Sequence, residues 1–379
     1  MKKRKRPIAI DLFCGAGGMS LGFEQAGFDV VGAIDVEENN TDIYKENFPS
    51  AHVLCADVST LSGQTICQEM QIHNKEIDVL FGGPPCQGFS LIGKRIPEDP
   101  RNSLLYEFGR IIVEICPSYF VVENVVGILL GEATKALDRF TKIVEKAGYH
   151  LIKPIHVLDA AEFGVPQRRR RVFLLGYASG ATPPEYPRAT VPAGDDGKGD
   201  GPTVWDAIGD LPKISEHDQL LHCDSYFGSL GKPSPYAKIL RGEARDPADK
   251  SAMRHINGNG LGGCLRTLHT TKTVRRFKST KPGESEGISR FYRLTKDGLA
   301  PTLRAGTGPD QGSFMAPRPI HPIQDRCITV REAARLHSFP DWFHFHATKW
   351  HGFRQVGNSV PPRLARAVAE SVLRSLQTK

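Results

Sequence analysis

A short apolar stretch followed by a glycine-rich turn constrains the fold of this chain more than any other feature. Ile8 to Phe13 reads as a buried strand, and after the turn CGAGG the spacing predicts a helix from Met19 to Ala26. A second apolar run, Val30 to Ile34, delivers Asp35 twenty residues after Gly15. Glycines let the backbone approach a ligand closely, and an acid at this spacing accepts hydrogen bonds from ribose hydroxyls. The pattern is typical of an α/β sheet that binds a nucleotide-like cofactor.

A thiol follows another apparent buried strand on a stiff turn. The run Ile77 to Phe81 leads into GGPPCQGFS, in which Pro84 and Pro85 directly precede Cys86. Two prolines fix two φ angles and so restrict the direction of the next residue. A thiolate is a strong nucleophile that needs only modest activation. The motif indicates a catalytic cysteine, while a buried structural cysteine is the alternative from this segment alone.

Charged residues follow further short apolar runs. Asp57 can accept from an adenine amino group at a strand edge, or can cap the turn that follows it. Glu123 ends a strand and is well placed to face Cys86, with a surface or capping role as the alternative. Arg169 and Arg171 alternate along a strand and would therefore share one side. These residues predict a charged site at one sheet edge.

Composition excludes several classes of protein. The chain has 379 residues, 40% of them hydrophobic and 24% charged, and a net charge of +7 that suits a polyanionic partner. Its eight cysteines form no C-x-x-C pair, so neither a zinc site nor a disulfide framework is indicated, and a reducing cytoplasm is expected. His344, His346 and His351 lack ligands at zinc spacing, so no metal is predicted. No apolar run reaches the length of a membrane span.

The α/β rhythm stops in a stretch rich in proline, glycine and alanine, residues 178–202, where we place a domain boundary. Beyond it, residues 264–281 carry six lysines and arginines and no acid, which favours a phosphate-contacting surface over a merely solvated loop. Residues 291–304 predict two short strands. Thr329 and Glu332 form a capping-box signature before a helix.

Six motifs together resemble the cytosine-5 DNA methyltransferase family. In the order of the family they are DLFCGAGGMSLGFEQAG, GGPPCQGFS, VVENV, QRRRRV, RLTKDGLAPTLR and GNSVPP. They frame nearly all of the chain except a variable region, about residues 183–287. The resemblance implies transfer of a methyl group from S-adenosylmethionine to carbon 5 of cytosine.

The resemblance also implies a fold and a domain plan. We expect a Rossmann-like methyltransferase sheet with helices on both faces, and a smaller, irregular, mainly β target-recognition domain. Residues 1–182 would form the catalytic and cofactor-binding domain, residues 183–340 the target-recognition domain and hinge, and residues 341–379 a segment returning to the catalytic domain. Because the last motif pairs with the first in the family, the C-terminal helix should cross back onto the first domain.

Roles in the family carry over onto matching residues. Cys86 would add to carbon 6 of the cytosine, and Glu123 would donate to ring nitrogen 3. Arg171 would contact the carbonyl oxygen at position 2, with Arg169 supporting it. One departure is Val36, where some relatives place an aromatic ring. The residues matching positions that hold the cofactor are Phe13, Gly15, Gly18, Asp35, Val36, Asp57, Val58, Pro85, Leu104, Asn358 and Ser359.

Double-stranded DNA is the implied substrate. The target base must leave the stack, and residues 91–103 occupy the position of the loop that closes over it in the family. We expect a monomeric, cytoplasmic modification enzyme of a restriction-modification system, whose cognate endonuclease acts on the same site without a stable complex. The alternatives are a tRNA cytosine-5 methyltransferase, in which Pro-Phe-Thr tends to follow the nucleophile instead of the Gly-Phe-Ser found here, and a non-catalytic DNA-binding relative.

Overall fold

The computed structural model describes residues 6–73, 76–85, 104–191, 200–256, 258, 260–306 and 318–378. Its centre is an eight-stranded sheet in the order β3-β2-β1-β4-β5-β8-β6, with β7 also paired to β8. The strands are β1 (Ile8–Leu12), β2 (Asp29–Asp35), β3 (His52–Cys55), β4 (Ile77–Gly82), β5 (Tyr119–Asn124), β6 (Tyr149–Leu151), β7 (His156–Asp159) and β8 (Arg170–Ala178). The apolar character of the central strands follows from burial on both sheet faces.

Helices connect and follow these strands. The described helices are α1 (Gly18–Ala26), α2 (Glu38–Asn47), α3 (Gly63–Glu69), α4 (Leu104–Ile115), α5 (Ala133–Lys146), α6 (Val204–Ile208), α7 (Pro235–Arg241), α8 (Thr271–Ser279), α9 (Val330–Leu336), α10 (Lys349–Asn358) and α11 (Pro362–Gln377). None of the helices in these ranges is both long and apolar enough to cross a membrane.

Strand direction determines where functional side chains can meet. Strands β1 to β5 run parallel to one another, so their carboxyl ends lie along one edge of the sheet. Strand β8 pairs antiparallel with β5, and Asn124 lies opposite Val172. The start of β8 therefore reaches the same edge at which the parallel strands end.

Helices cover both faces of the sheet. On one face, side chains of α3, α4 and α5 pack with β1, β4 and β5 into one apolar cluster that includes Phe108, Phe120 and Phe140. On the other face, α1 and α11 pack over the same central strands, with Phe23 stacked on Phe81 at 3.8 Å between ring centroids. This arrangement confirms the predicted Rossmann-like sheet with helices on both faces.

The C-terminal helix crosses back onto the beginning of the chain. Residues Leu364, Ala365 and Val368 of α11 belong to the same buried cluster as Phe23 of α1. A Cβ placed on Gly22 would lie 2.4 Å from the Cβ of Ala365 and 2.6 Å from the nitrogen of Arg366. Only a glycine therefore lets α1 and α11 approach this closely.

Residues 183–340 are irregular, as expected, but their described part has more helix and less strand than a mainly β domain would have. It contains α6 to α9 and two short 3-10 turns, and its β pairing is limited to isolated bridges. The predicted strands in residues 291–304 are among those bridges. Threonine and serine begin helices here, because Thr203, Ser234 and Thr270 accept a hydrogen bond from a backbone N–H of the first helical turn. The domain boundaries themselves stay a prediction.

Helix α9 is buried along its whole length and is held by charge pairs. The capping box predicted for Thr329 and Glu332 is present. Arg335 donates from Nε to Asp341 at 2.5 Å and from a terminal nitrogen to Asp210 at 3.1 Å. Because both acids are buried beside it, this guanidinium fixes α9 against the segments that precede and follow it.

Replacing Gly22 with alanine should destabilise the protein. The added methyl meets the backbone of α11 at distances that real Cβ atoms do not adopt, so the two helices must separate, at a cost of about 1–3 kcal/mol in the free energy of unfolding. Urea unfolding followed by circular dichroism measures the change. Gly287→Ala is the control, because a Cβ there has nothing within 4 Å. Equal stability of the two variants would contradict the packing argument.

Candidate active site

A cavity of about 710 Å³ lies at the carboxyl edge of the sheet, beside the ends of β1 and of the two strands that flank it, β2 and β4. The predicted site residues in the described part of the chain all line it: Phe13, Gly15, Gly18, Asp35, Val36, Asp57, Val58, Pro85, Leu104, Glu123, Arg169, Arg171, Asn358 and Ser359. The predicted nucleophile Cys86 and the predicted loop of residues 91–103 lie outside the described residues.

The turn after β1 has an unusual backbone. Phe13 has φ of 63° and Gly15 has φ of 55°, both in the left-handed region. This conformation is costly for a bulky side chain such as phenylalanine, and residues held in it cluster at ligand sites. A Cβ on Gly18 would lie 2.6 Å from the carbonyl oxygen of Val360. The start of α1 can therefore lie directly against the C-terminal segment.

Asp35 is fixed at the end of β2 by three donors. One oxygen accepts from the Gly15 nitrogen at 2.9 Å, and the other accepts from the Glu37 nitrogen at 2.9 Å and from the Asn40 amide at 3.2 Å. Burial raises the pKa of Asp35, while the backbone hydrogen bonds from Glu37 and Gly15 oppose that shift. The carboxylate is therefore held in one orientation at the cavity wall.

Asp57 and Val36 form a more open part of the lining. Asp57 caps the short turn after β3 by accepting from the Ser59 nitrogen at 2.9 Å, so it has the capping role and also faces the cavity. The two roles that the sequence leaves as alternatives are thus compatible. Val36 lines the cavity next to Asp35 and is 64% exposed. Because valine is small, this wall of the cavity carries no large side chain at residue 36.

The carboxylate of Glu123 is paired with Arg171. The Nε of Arg171 lies 2.7 Å from Oε1 of Glu123, and both side chains are mostly buried. Burial raises the pKa of Glu123, although the charges of Arg171 and Arg169 act in the opposite direction. A Cβ on Gly83 would lie 2.9 Å from Oε2 of Glu123, so this glycine leaves room on the side facing the turn before Cys86.

Arg169 has a different environment from Arg171. It is 1% exposed, and its terminal nitrogens donate to the carbonyl oxygens of Leu303 at 2.8 Å and Gly357 at 2.7 Å. Its Nε is buried without a hydrogen-bond partner among the described residues. Burial, and then the charge of Arg171, lower the pKa of Arg169 well below its ordinary value. Arg169 thus joins β8 to the two segments that close the back of the cavity.

Several lining residues were missed by the sequence analysis. Asp11 of β1 is buried and accepts from the Ser20 hydroxyl at 2.5 Å, and Ser20 in turn accepts from the Tyr44 hydroxyl at 2.8 Å. Burial raises the pKa of Asp11 well above its ordinary value. The sequence signal that could have identified Asp11 is its position as the one acid in the apolar strand IAIDL. Gln355 of α10 also lines the cavity and donates to the Asn39 carbonyl at 3.0 Å.

The histidines near the C-terminus make local contacts. The rings of His346 and His351 lie 4.6 Å apart, and Nδ1 of His346 accepts from the Thr348 nitrogen at 3.1 Å. Within the described ranges, no group of three or more histidine, cysteine or acidic side chains could hold a metal ion. His351 lines the outer part of the cavity, where its ring lies against that of Trp350.

The sheet order and the cavity at its carboxyl edge define an α/β fold of the Rossmann-like class. The model of the C-5 cytosine-specific DNA methylase family matches residues 8–374 of the chain. The protein therefore belongs to that family, as its six motifs indicate, and it has the fold of an S-adenosylmethionine-dependent methyltransferase.

Individual relatives agree with this assignment. The type II methyltransferase M.XorII of Xanthomonas oryzae is 47% identical over 99% of this chain and 86% of the relative. M.AgeI of Thalassovita gelatinovora is 34% identical over 96% of this chain and 98% of the relative. A crystal structure from E. coli, of a prophage-encoded protein assigned as a DNA modification methyltransferase, superposes with a TM-score of 0.76 at 32% identity over 98% of this chain and 99% of that chain.

Replacing Arg169 with methionine should destabilise the protein strongly. The change leaves the buried carbonyl oxygens of Leu303 and Gly357 without their donors, which should cost about 2–5 kcal/mol in the free energy of unfolding. Urea unfolding measures the change. Arg170→Met is the matched control, because Arg170 is the next residue of the chain and is exposed. Similar losses in both variants would show that the two hydrogen bonds are not the cause.

Proposed function

We propose that this DNA cytosine-5 methyltransferase is the modification enzyme of a type II restriction-modification system, using S-adenosylmethionine as methyl donor. The observation that carries the site assignment is the pairing of Glu123 with Arg171 at 2.7 Å in the same cavity as Asp35. One cavity thus offers a buried carboxyl group paired with an arginine for a nucleobase, and a fixed carboxylate for a ribose. The type II relatives support the biological role.

The residues of the cavity fit S-adenosylmethionine. The Gly15 turn has nothing within 4 Å of an ideal Cβ, so a ligand can approach the backbone there. Asp35 would accept from the ribose hydroxyls, and Asp57 would accept from the adenine amino group. The first turn of α1 would offer backbone N–H groups to the methionine carboxylate. The bound cofactor supplies the methyl group.

The base-directed chemistry belongs to Cys86, Glu123 and Arg171. Carbon 5 of cytosine is a poor nucleophile until a thiolate adds to carbon 6, which gives the ring an enamine-like character. Cys86 would form that bond, and Glu123, whose pKa is raised by burial, would donate its proton to ring nitrogen 3. Arg171 would hold the carbonyl oxygen at position 2. Carbon 5 would then take the methyl group, and the proton on ring nitrogen 3 would return to Glu123. Loss of the carbon 5 proton would finally release Cys86 as thiolate.

Arg169 supports this site through position and charge in our proposal. Both of its terminal nitrogens already donate to protein carbonyl groups. It would therefore act by fixing the start of β8, from which Arg171 reaches Glu123, and by adding positive charge beside them. The cytosine must leave the duplex to enter the cavity, at a cost of about a few kcal/mol that residues 91–103 would help to offset by closing over the base.

The surface that meets the DNA backbone should include α8. Phe277 of this helix is buried in a cluster with Ile320 and Cys327. Lys272, Arg275 and Lys278 are exposed, and their spacing of three residues places them along one side. The helix thus rests on its apolar side and presents lysine and arginine side chains to solvent. Such a face suits contacts with phosphates.

The domain plan and the working state of the protein complete the proposal. Residues 1–182 and 341–379 would hold the cofactor and the base, and residues 183–340 would read the DNA sequence. The enzyme would act in the cytoplasm, and it would act as a monomer because the single chain carries all six motifs of the family. Its cognate endonuclease would recognise the same DNA site without forming a stable complex with it.

Replacing Cys86 with alanine should abolish DNA methylation. Bisulfite or methylation-sensitive sequencing of DNA from cells expressing the intact chain should show one short motif methylated at carbon 5, and the variant should show none, because addition to carbon 6 requires the thiolate. Cys223→Ala is the matched control, because this exposed, free cysteine does not line the cavity.

Two outcomes would contradict the proposal. Methylation that survives in Cys86→Ala would remove the thiol from the mechanism. Unmethylated DNA with the intact, folded chain, combined with methylated tRNA, would move the substrate to RNA. A resident endonuclease that cuts the same motif, when it is unmethylated, would support the restriction-modification role.

Introducing an aromatic ring at Val36 should tighten cofactor binding. Val36 is 64% exposed beside Asp35, and a ring there could stack on the adenine, with a gain of about 0.5–1.5 kcal/mol or roughly 2-fold to 12-fold in affinity. Calorimetric titration of Val36→Trp with S-adenosylhomocysteine measures the change. Val36→Leu is the control, because it adds apolar area without a ring. Weaker binding by Val36→Trp would contradict this placement of the adenine.

A further inference from the structure

Two segments distant in sequence pack against each other at one wall of the cavity, and the side chains that join them come from two other places in the chain. One segment contains Leu303, and the other runs from Gly357 to Ser359. Arg169 binds the carbonyl oxygens of Leu303 and Gly357. A second bridge, formed by Gln167 and His337, runs between Leu303 and Ser359. The mechanism above gives this second bridge no role.

The direction of every hydrogen bond in the second bridge is fixed by its two ends. The Leu303 N–H donates to Oε1 of Gln167 at 3.0 Å, so the amide nitrogen of Gln167 must face the other way. That nitrogen donates to Nδ1 of His337 at 2.9 Å and to the Leu336 carbonyl at 3.3 Å. Nε2 of His337 donates to the Ser359 carbonyl oxygen at 2.9 Å.

This pattern requires a neutral imidazole. His337 is fully buried, and Arg169 and Arg171 both act on it with positive charge. Burial, and then Arg169, lower the pKa of His337 well below its ordinary value. A neutral ring can accept at Nδ1 and donate at Nε2 at once, which is what its two neighbours demand.

The bridge formed by Gln167 and His337 lies next to residues of the proposed site. Ser359 lines the cavity beside Asn358, and Gln167 lies two residues before Arg169 on the approach to β8. We propose that His337 is a positioning residue that couples the arginine-bearing start of β8 to the cofactor-binding segment at Ser359. The inference rests on the proposed function, because it assigns the ligand at Ser359 to S-adenosylmethionine. His337 itself is not among the residues that line the cavity.

The bridge should hold the Ser359 carbonyl, and with it the wall of the cofactor site, in one position. Leucine at residue 337 would fill the space, but Gln167 would lose its acceptor at Nδ1 and keep only the Leu336 carbonyl, and the Ser359 carbonyl would lose the donor at Nε2. Glutamine could restore both bonds, since its amide oxygen accepts and its amide nitrogen donates. The comparison of these two variants therefore separates hydrogen bonding from packing.

The test measures binding of S-adenosylhomocysteine to the full chain by calorimetric titration without DNA. We expect His337→Leu to weaken binding about tenfold, the loss that corresponds to one buried hydrogen bond, and His337→Gln to stay within about threefold of the original chain. His321→Leu is the control: His321 is also buried, accepts from two backbone N–H groups and lies away from the cavity. The affinity of the His321→Leu variant for S-adenosylhomocysteine should equal that of the original chain.

A double-mutant cycle tests whether Gln167 and His337 act through the same bridge. It also provides a second variant in case His337→Leu does not fold. Gln167→Leu should weaken binding by a similar factor, and the double variant with His337→Leu should lose less than the two single losses combined. If His337→Leu does not fold, Gln167→Leu carries the test alone. Affinity unchanged in a folded His337→Leu or Gln167→Leu variant would overturn the inference, as would equal losses in His337→Leu and His337→Gln. Failure of the original chain to bind S-adenosylhomocysteine would count instead against the proposed function.

Discussion

The antiparallel pairing of β8 with β5 is the constraint on which the site depends. If β8 ran parallel to its neighbour, its first residues would lie at the opposite edge of the sheet from the cavity. Because it runs the other way, Arg171 reaches Glu123 at 2.7 Å and Arg169 reaches the segments behind it. Because β8 is antiparallel, its arginines lie at the same sheet edge as the acids that end the parallel strands.

The second constraint is the close contact between the two ends of the chain. Gly18 and Gly22 leave no space for a Cβ against residues 359–366, so α1 lies directly on the segment that begins α11. Residues near the start and the end of the sequence then share one cavity wall. Arg169 and His337 fix the same segment from the other side. The wall behind the cofactor site is therefore held by packing on one side and by oriented hydrogen bonds on the other.

Local patterns in the sequence predicted the sheet, and the resemblance to the family supplied most of the predicted residues that line the cavity. Short apolar runs ending in an acid or a glycine turn mark strand ends, and parallel strands bring such ends together, so the sequence alone places Asp35 and Asp57 at one sheet edge. The bridge through Gln167 and His337 escapes such patterns, because it joins residues 170 positions apart and depends on tertiary packing. In the described part of residues 183–340, Thr203 and Thr270 cap helices, although threonine also favours strands.

Strand order also sets a charge gradient across the cavity. The acids Asp35 and Asp57 stand at the ends of β2 and β3, whereas the arginines stand at β8, on the other side of β1 and β4. A cationic sulfonium ligand and a base that gains negative charge during thiolate addition would favour opposite ends of such a cavity. Glu123 stands between the two groups, and burial keeps its carboxyl group easier to protonate than usual by raising its pKa. The order of strands along the sheet therefore places the acids toward one end of the cavity, the arginines toward the other, and Glu123 between them.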